Sequence, residues 1–366
     1  MTRSKTLRAS ALSFDQIPNW AVDDHGAALA TFARHIEKPD HETYRQAPTG
    51  CDPELLIGLA SQAAKTDPAD ARGFFEEQFA PVLIAKTDSH KSIVTGFFEP
   101  EYQASRRRSD KYTIPIYARP SQLVDAKLAP QGTVPEGYRF AWRHQDGRLG
   151  IAPDRKAISE GALDGQAEVL AWLQSPIDAF FMHIQGAGRL NFDDGSQTRL
   201  SYAAKTGHPF TAIGSLLVEM GAIEKNKVSM QSIIAWLNAN PEAGLALMNE
   251  NRSYIFFKET PLGDKALGPV AAAKIQLTAL RSLAVDMQFH TFGTPIFVHA
   301  EDVNDARFGK LMIAQETGTA IVGPSRGDLF FGTGAPAGEL AGGVVSAATF
   351  FVLCPKTGYE AYLNRW

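Results

Sequence analysis

Two carboxylates, Glu316 and Asp328, lie in one glycine-rich segment of the chain, residues 310–334. Asp328 directly precedes the apolar run 329–331, which reads Leu-Phe-Phe. A carboxylate held against apolar side chains loses solvation in its charged form, so its pKa rises and a proton stays available near neutral pH. That behaviour is what a general acid requires. The alternative is that Asp328 caps a backbone N–H group in a turn, as Gly-Asp pairs commonly do.

The elements that position these carboxylates are expected to be short strands joined by turns. The segment contains Met312, Ile313, Ile321 and Val322, which suit a pleated and half-buried surface. Glycines interrupt the apolar runs, so the chain is expected to reverse direction often. These glycines are Gly318, Gly323, Gly327, Gly332 and Gly334.

A second group of polar residues lies in residues 180–190. Strand alternation would place His183 and Gln185 on one face, ahead of a Gly-Ala-Gly turn at which a ligand could approach the backbone closely. The alternative for His183 is a hydrogen-bonded structural histidine, and we favour that interpretation. Gly186 and Gly188 have no third glycine at the spacing of a dinucleotide-binding fingerprint.

The composition is that of a soluble globular protein with room for two domains: 366 residues, 44% hydrophobic and 21% charged. The formal net charge is -4 and the longest basic run is Arg106–Arg108, so nucleic acid is not an expected partner. We interpret that run as a solvated loop, with contact to a phosphate or an anionic glycan as the alternative. No apolar run is long enough to span a bilayer, and the first residues lack the apolar region of a signal peptide.

Several other kinds of chemistry find no support in the sequence. Cys51 and Cys354 are too few for a zinc site and predict either one disulfide or two buried free thiols. The chain contains no HExxH pair, no phosphate-binding P-loop and no Gly-x-Ser-x-Gly motif. No metal or cofactor is therefore expected, and any catalysis would depend on carboxylates.

Helices are expected mainly in residues 1–90 and 211–249. Asp24 precedes a stretch with the spacing of an amphipathic helix, and Asp52 and Asp67, each followed by proline, look like helix N-caps. Arg281 and Asp286 are expected to pair structurally near a turn. The predicted strands are 92–100, 112–120, 180–190, 251–257, 293–300 and 349–354, and the predicted helices include 166–173, 211–223, 229–238 and 241–249.

Seven strings, in collinear order, together resemble the lytic murein transglycosylase A family, which cleaves peptidoglycan. The resemblance extends from about residue 14 to about residue 355. The strings are TGFFEPEY from Thr95, PIYARP from Pro115, FFMHIQGAGRL from Phe180, SYAAKTGHPFTAIG from Ser201, MQSIIAWLNANP from Met230, RSLAVD from Arg281 and QETGTAIVGPSRGDLFFGTG from Gln315.

The resemblance implies a fold that is mainly β with additional α-helices, built on a double-psi β-barrel of the 3D type. The barrel domain, with the helices, would comprise residues 1–102 and 206–366. A smaller inserted β domain, barrel-like in form, would comprise residues 103–205. A groove between the two would take the glycan strand, with the insert forming its other wall.

The resemblance also assigns roles to particular residues. The family's catalytic aspartate lies in a motif like Asp-[Ile/Leu]-aromatic-x-Gly, which here is Asp328 in GDLFFG. Thr95, Gln185 and Arg189 are candidates for substrate contacts: Gln185 for hydroxyl or acetamido groups and Arg189 for carboxylates. Each has a structural alternative, namely strand pairing for Thr95, a backbone bond for Gln185 and a surface cation for Arg189. Glu316, also placed with the substrate-binding residues, is interpreted first as a structural partner within the barrel and second as another catalytic carboxylate.

The chain departs from the family pattern at three positions. Glu316 stands where the family usually has aspartate, Thr319 where glycine or serine is frequent, and Leu280 where glycine is frequent. Glu316 keeps the charge but adds a methylene group, so its hydrogen-bond geometry is expected to differ.

The resemblance implies a lytic transglycosylase that cleaves the bond between N-acetylmuramic acid and N-acetylglucosamine, with Asp328 as single acid and then base. The alternatives are a hydrolytic muramidase that uses Glu316 with Asp328, and a non-catalytic glycan-binding protein of the cell wall. The expected partner is the peptidoglycan glycan strand. The expected location is the periplasm, with outer-membrane anchoring as an option, and the expected oligomeric state is a monomer.

Overall fold

The structure, a computed structural model, divides into two compact units. The first unit comprises residues 1–98 and 263–366, and the second comprises residues 99–262. Thr319 lies outside the described residues. None of the described helices is long and apolar enough to cross a membrane. The described residues are 9–36, 43–84, 92–318 and 320–366.

Short capped helices dominate the beginning of the first unit. Asp24 accepts a hydrogen bond from the Ala27 N–H group, and Asp52 accepts one from Glu54 ahead of a proline at the first helical position. Asp67 caps a 3-10 turn that leads into the third helix. The two predicted caps, Asp52 and Asp67, are therefore confirmed. The elements are β1 (Ala9–Ala11), α1 (His25–Ala33), α2 (Pro53–Ala63), α3 (Ala71–Gln78), β2 (Phe79–Ile84) and β3 (Ile93–Glu99).

The second unit is a curved sheet with flanking helices. Its elements are β4 (Glu101–Ser105), β5 (Ile114–Tyr117), β6 (Leu123–Asp125), β7 (Phe140–Arg143), β8 (Leu149–Gly150), α4 (Arg155–Ser159), β9 (Val169–Leu173), α5 (Pro176–Gln185), β10 (Ala187–Phe192), β11 (Gln197–Lys205), α6 (Ile213–Glu219), α7 (Met230–Ala239), α8 (Pro241–Glu250) and β12 (Ile255–Thr260). Six strands pair in the order β12-β11-β10-β4-β9-β5, and a bridge from Ala118 to Phe257 links the two edges. The sheet is barrel-like, as the resemblance implied.

The second unit extends beyond the predicted insert, which ended at Lys205. β12 pairs with β11 along its length, so the sheet is incomplete without residues 255–260. The helices α6, α7 and α8 bury apolar side chains against Phe180 and Phe181 of α5. These helices therefore belong to the second unit, whereas the expected division assigned them to the barrel domain.

Two segments of this unit differ from their predicted secondary structure. Residues 180–185 end α5 and do not form a strand, because Ser175 caps the helix and Pro176 occupies its first position. Gly186, with φ 74°, ends the helix, and β10 begins at Ala187. Residues 169–173 form β9, which pairs with β4 and β5, where a helix was predicted.

The first unit is completed by a closed barrel, and the predicted β-barrel is confirmed. Six strands follow one another in the order β17-β14-β15-β13-β16-β3, and β3 pairs back to β17. The strands β2 and β1 extend the sheet from β17. The elements are β13 (Ser282–Val285), β14 (Pro295–Val303), β15 (Ala306–Glu316), β16 (Arg326–Thr333), α9 (Ala335–Gly342), β17 (Val345–Pro355) and α10 (Tyr359–Leu363).

The barrel interior is apolar and tightly enclosed. Leu283, Leu329, Phe297 and Phe350 have no exposed surface, and they belong to one continuous hydrophobic core. Burying a side chain of this size stabilises the fold by about 1.5–3 kcal/mol, so the strands that carry them are held firmly. The two cysteines of the chain are both buried free thiols, which was one of the two predicted alternatives.

A buried ion pair fixes the start of β13. Arg281 contacts both carboxylate oxygens of Asp23, at 2.8 and 2.9 Å. Asp286 instead accepts a hydrogen bond from the Gly323 N–H group at 2.7 Å. The predicted pairing of Arg281 with Asp286 is therefore wrong, because the segment before α1 brings a different carboxylate to the arginine.

Candidate active site

Asp328 lies within strand β16, between β13 and β3. It is in register with Ala284 of β13, while Leu329, the next residue, faces the barrel core. Strand alternation therefore directs Asp328 away from that core, on the same face as Phe330. The turn-capping alternative does not describe this residue, because its position is inside a strand.

A chain of hydrogen bonds links Asp328 to the neighbouring strand. The hydroxyl of Thr95, on β3, donates to Oδ1 of Asp328 at 2.5 Å. The Nη2 atom of Arg326 donates to the Thr95 hydroxyl oxygen at 2.7 Å. Since the hydroxyl has one proton, accepting from Arg326 commits that proton to the carboxyl group. Thr95 is thus oriented as a donor to Asp328.

Burial dominates the electrostatics of Asp328. It raises the pKa of the Asp328 carboxyl above its usual value, while the Thr95 hydrogen bond and the charge of Arg326 act in the opposite direction. The net pKa is raised. The Asp328 carboxyl therefore has both a raised pKa and an orientation fixed by Thr95. These are the two properties that a proton donor in a reaction requires.

Arg326 was not identified by sequence reasoning. It stands two positions before Asp328 on β16, so strand alternation places both side chains on one face. Besides Thr95, its guanidinium donates to the Gly327 carbonyl oxygen. The i, i+2 spacing of a cation and a carboxylate in a strand is the signal that could have revealed it.

Close backbone packing holds β3 beside helix α9. A Cβ atom at Gly96 would lie 2.8 Å from the carbonyl oxygen of Ala341 and 2.8 Å from the ring of Phe331. A Cβ atom at Gly338 would lie 2.8 Å from the ring of Phe98. Only glycine leaves room at these two positions, so the string TGFF reflects a packing requirement next to Thr95.

An aromatic pair covers the same face of the barrel. The ring centroids of Phe97 and Phe330 lie 5.2 Å apart. Phe97 follows Thr95 by two positions on β3, and Phe330 follows Asp328 by two positions on β16. Ala271 and Leu277 pack with them in a small apolar cluster. This cluster keeps the face around Asp328 poor in water, consistent with the raised pKa of its carboxyl group.

Glu316 lies at the same level of the barrel as Asp328 but has different hydrogen-bond partners. Ala284 is in register with both Glu316 and Asp328, one on each side. The Glu316 carboxylate accepts hydrogen bonds from the N–H groups of Thr317 at 2.8 Å and Ala272 at 3.2 Å. Burial raises the pKa of Glu316, and these two hydrogen bonds oppose the rise. The contacts hold the segment around Ala272 against β15.

Leu280, where the family pattern often has glycine, adopts a left-handed backbone conformation with φ 53°. Its N–H group donates to the carbonyl oxygen of Phe330 at 2.6 Å. The frequent glycine that the resemblance implies would suit this conformation, because side chains other than glycine are strained in this region. Leu280 nevertheless packs against the hydrophobic core, which offsets part of the strain.

The remaining predicted site residues lie in the second unit. Gln185 is exposed at the end of α5. Arg189 is 6% exposed and lies 3.2 Å from Glu99 and 3.5 Å from Glu101. Arg199 contacts the same Glu99 at 2.6 Å. Arg189 is therefore part of a buried ion-pair cluster, which the surface-cation alternative does not describe, and its contact with substrate stays a prediction.

His183 is buried, as its favoured interpretation requires. Its Nδ1 atom lies 3.0 Å from Nη1 of Arg155, and its ring stacks on Phe257 at 5.6 Å. Arginine carries no acceptor, so Nδ1 accepts this bond and His183 is neutral. Burial lowers its pKa, and the charge of Arg155 lowers it further. In the described part of the chain, no group of three or more His, Cys, Asp or Glu side chains could hold a metal ion.

Comparison with known proteins gives consistent matches. Residues 93–258 match the family model described as the MltA specific insert domain, and residues 281–354 match the model of the 3D domain. The crystal structure of a membrane-bound lytic murein transglycosylase from Agrobacterium tumefaciens is 41% identical, with a TM-score of 0.82. That match covers 97% of this chain and 99% of the other.

Two curated relatives carry the name membrane-bound lytic murein transglycosylase A. The Vibrio cholerae protein is 29% identical over 300 residues, which is 80% of this chain and 68% of the relative. The Escherichia coli K12 protein is 32% identical over 257 residues, which is 68% of this chain and 61% of the relative. The aligned part of this chain thus spans about two thirds of the length of each.

Proposed function

Because this chain belongs to the membrane-bound lytic murein transglycosylase A family, we propose that it is a lytic transglycosylase of peptidoglycan. The substrate would be the β-1,4 bond between N-acetylmuramic acid and N-acetylglucosamine in the glycan strand. The observation that carries the proposal is the Asp328 carboxyl, partly buried on β16, with a raised pKa and one oxygen held by Thr95.

Asp328 would act first as an acid. Its protonated carboxyl gives a proton to the glycosidic oxygen as the bond to the anomeric carbon breaks. The Thr95 hydroxyl occupies Oδ1, so Oδ2 is the oxygen that would carry the transferable proton. General acid–base assistance of this kind contributes about 10²–10⁴-fold in rate.

The same group would then act as a base. The Asp328 carboxylate takes the proton from the C6 hydroxyl of the muramic acid residue while that oxygen attacks the anomeric carbon. The product is a 1,6-anhydro ring, and no water is consumed. The C6 hydroxyl is tethered to the sugar under attack, so its effective concentration is high and a second carboxylate is not needed to position a nucleophile.

The surroundings of Glu316 favour this single-carboxylate scheme over a hydrolytic pair. Two backbone N–H groups already engage the Glu316 carboxylate, so its geometry suits support of the segment around Ala272. In the same way, the ion pairs of Arg189 favour a structural role with Glu99. Gln185, which is exposed, remains the candidate for contact with sugar hydroxyl or acetamido groups.

The decisive experiment is digestion of purified cell-wall sacculi followed by mass analysis of the soluble fragments. Anhydro ends, lighter by one water than hydrolytic products, are expected. Asp328→Asn should lower the rate at least about 10²-fold, and Glu316→Gln should retain most of the activity. Reducing-end products that need both carboxylates would establish the hydrolytic alternative. Sacculi that bind without release of fragments would establish a non-catalytic glycan-binding protein.

The substrate determines the proposed location. Peptidoglycan is reached in the periplasm, and the names of the curated relatives describe membrane-bound proteins. We infer a periplasmic enzyme with an outer-membrane association. Fractionation of cells that express the natural gene product tests this, because recovery with cytoplasmic markers would contradict it.

A further inference from the structure

A cavity of about 800 Å³ lies entirely within the second unit. Its walls come from β5, β9, the segment that contains α4 and the loop after it, one face of α5, and α8. The α5 residues in the wall, Pro176, Ala179, Phe180 and His183, follow the i, i+3, i+4, i+7 spacing of one helix face. Cavities of about 300–1,000 Å³ commonly bind small molecules.

The floor of the cavity is apolar and aromatic. Tyr117 and Trp172 contribute to it from β5 and β9, Phe180 contributes from α5, and Tyr254 contributes from the residue before β12. Tyr117 and Phe180 are buried, whereas Trp172 is half-buried and keeps one surface open. An aromatic floor of this kind gives a ligand a large contact area, because aromatic side chains bury 150–250 Å² each.

One wall is held rigidly by Arg155. Its guanidinium donates to the carbonyl oxygens of Asn251 at 2.9 Å and Ser253 at 2.6 Å, and to Nδ1 of His183 at 3.0 Å. The residue is 6% exposed, and its charge is committed to these contacts. Arg155 therefore shapes the cavity and is not the group that would bind a ligand anion.

The rim carries charges of both signs. Arg108 is exposed, and its guanidinium lies 5.8 Å from the ring centroid of Trp172. Glu160 and Asp164 lie on the rim as well, and Asp164 accepts a hydrogen bond from the Tyr117 hydroxyl at 3.2 Å. A neutral sugar needs no such pair of charges. A polyanion would be repelled by the two carboxylates.

We propose that this cavity binds a short peptide that carries free carboxylates as well as a free amine. Arg108 would pair with a ligand carboxylate, Asp164 and Glu160 with the amine, and the aliphatic part would lie on Trp172. The identity of the ligand class rests on the proposed function: it is the peptide portion of peptidoglycan. The cavity would then hold the peptide that branches from the glycan, separately from the chemistry at Asp328.

Calorimetric titration of the whole protein tests this binding. The probe is a short synthetic peptide with free carboxylates and one free amine, and a chitin oligosaccharide is titrated in parallel. Arg108→Ala should weaken peptide binding about fivefold, whereas Arg107→Ala, an exposed neighbour outside the cavity wall, should leave it unchanged. Asp164→Asn should weaken it similarly, while Glu168→Gln, also exposed and outside the wall, should not.

Trp172→Ala is expected to weaken peptide binding about tenfold, in line with the role of buried aromatic anchors. The thermal unfolding of this variant is recorded alongside to detect a folding defect. If the variant is misfolded, the comparison of Arg108→Ala with Arg107→Ala decides the result. The proposal is overturned if the peptide does not bind at millimolar concentration, if the Arg108 and Arg107 variants bind equally, or if the chitin oligosaccharide competes for the same cavity.

Release of fragments from sacculi is measured on the same preparations. Cleavage by wild-type protein that does not bind the peptide would overturn only this inference. Peptide binding that depends on Arg108, without release of anhydro fragments, would overturn only the proposed function.

Discussion

The hydroxyl of Thr95 donates a hydrogen bond of 2.5 Å to the carboxyl of Asp328, although the two residues are 233 positions apart in the chain. They meet because β3 and β16 are neighbours in the closed barrel. The bond fixes one carboxyl oxygen and leaves the other for the proposed reaction. Orientation of this proposed acid therefore depends on a strand that lies far from it in sequence.

Replacing Thr95 by valine removes this bond and keeps the shape of the side chain. A hydrogen bond to a charged group is worth about 1.5–3 kcal/mol, so we expect Thr95→Val to lower the rate of fragment release about tenfold to a hundredfold. Thr95→Ser, which restores the hydroxyl, should recover most of the rate. Equal loss in both variants would show that the methyl packing matters and the donor does not.

Arg326 should control the pH range of activity. Its charge lowers the pKa of Asp328, against the larger effect of burial, so Arg326→Gln should raise that pKa further. A general acid must be protonated, and the rate falls as pH rises through its pKa. The falling limb of the rate profile should therefore move to higher pH in the variant.

The rate of fragment release measured across pH checks the effect of Arg326. Arg307→Gln serves as a matched control, because Arg307 is an exposed arginine that pairs with Glu301. Its profile should match that of the wild type. A shift to lower pH in Arg326→Gln would contradict the proposed electrostatic role.

Asp328 should reduce stability at high pH. Its folded-state pKa is raised, so its contribution to stability is fully present below the unfolded-state pKa and is lost as pH rises through the folded-state value. Asp328→Asn, which cannot ionise, should therefore gain thermal stability relative to the wild type as pH rises over the range from acidic to neutral conditions. Melting temperatures at both ends of this range measure the effect, and a constant difference would exclude it.

The ion pair of Asp23 with Arg281 should have the opposite pH dependence. Burial alone raises the pKa of Asp23, but the contacts with Arg281 and the Leu311 N–H group outweigh it, and the net pKa is lowered. Its stabilisation is present above the unfolded-state pKa and is lost as pH falls through the lowered folded-state value. Acid unfolding of the first unit should therefore involve this pair.

Neighbouring aspartates provide the comparison for that pair. Asp23→Asn leaves a buried guanidinium without its anion and should cost about 3–5 kcal/mol at neutral pH. Asp24→Ala removes only the cap of α1 and should cost about 1 kcal/mol. Denaturant unfolding at pH 7 and under acidic conditions measures both, and similar losses would show that the pair is not specially stabilising.

Gly96 should tolerate no side chain. The added Cβ atom of Gly96→Ala would lie 2.8 Å from the Ala341 carbonyl oxygen, so either β3 or α9 must shift. Since Thr95 is the adjacent residue, we expect activity to fall about tenfold or more, as displacements near reacting groups do. Gly58→Ala, in α2 with open space around it, should leave activity unchanged and raise stability by up to about 1 kcal/mol.

Asp328 could be selected as a candidate from the apolar run that follows it, and β-structure around it could be expected from apolar runs between glycines, because both are local patterns of the sequence. The sequence could not reveal Arg326 as a partner of Thr95, since that contact requires β3 and β16 to be neighbouring strands of the barrel. The segment 180–185 was predicted as a strand from its period-2 alternation alone, without regard to the helix start at Ser175-Pro176. Here a helix-capping signal competed with an apolar pattern, and the cap determined the outcome.

The end of the second unit was equally difficult to locate. Nothing in the composition distinguishes the helices at 213–250 from those of the first unit, and their assignment depends on burial against Phe180 and Phe181. The left-handed backbone at Leu280 could be anticipated only through the family's frequent glycine, because leucine gives no such signal.

The closed barrel also determines the order in which the two units can fold during synthesis. Its first strand is made before residue 100 and its last ends at Pro355, with the whole second unit synthesised in the interval. The second unit is continuous in sequence and can fold as the ribosome extends the chain, whereas the barrel cannot close until β17 has been synthesised. A chain truncated before β16 lacks Asp328, and a chain truncated before β17 cannot close the barrel around this proposed acid, so the proposed activity requires the strands that follow the second unit.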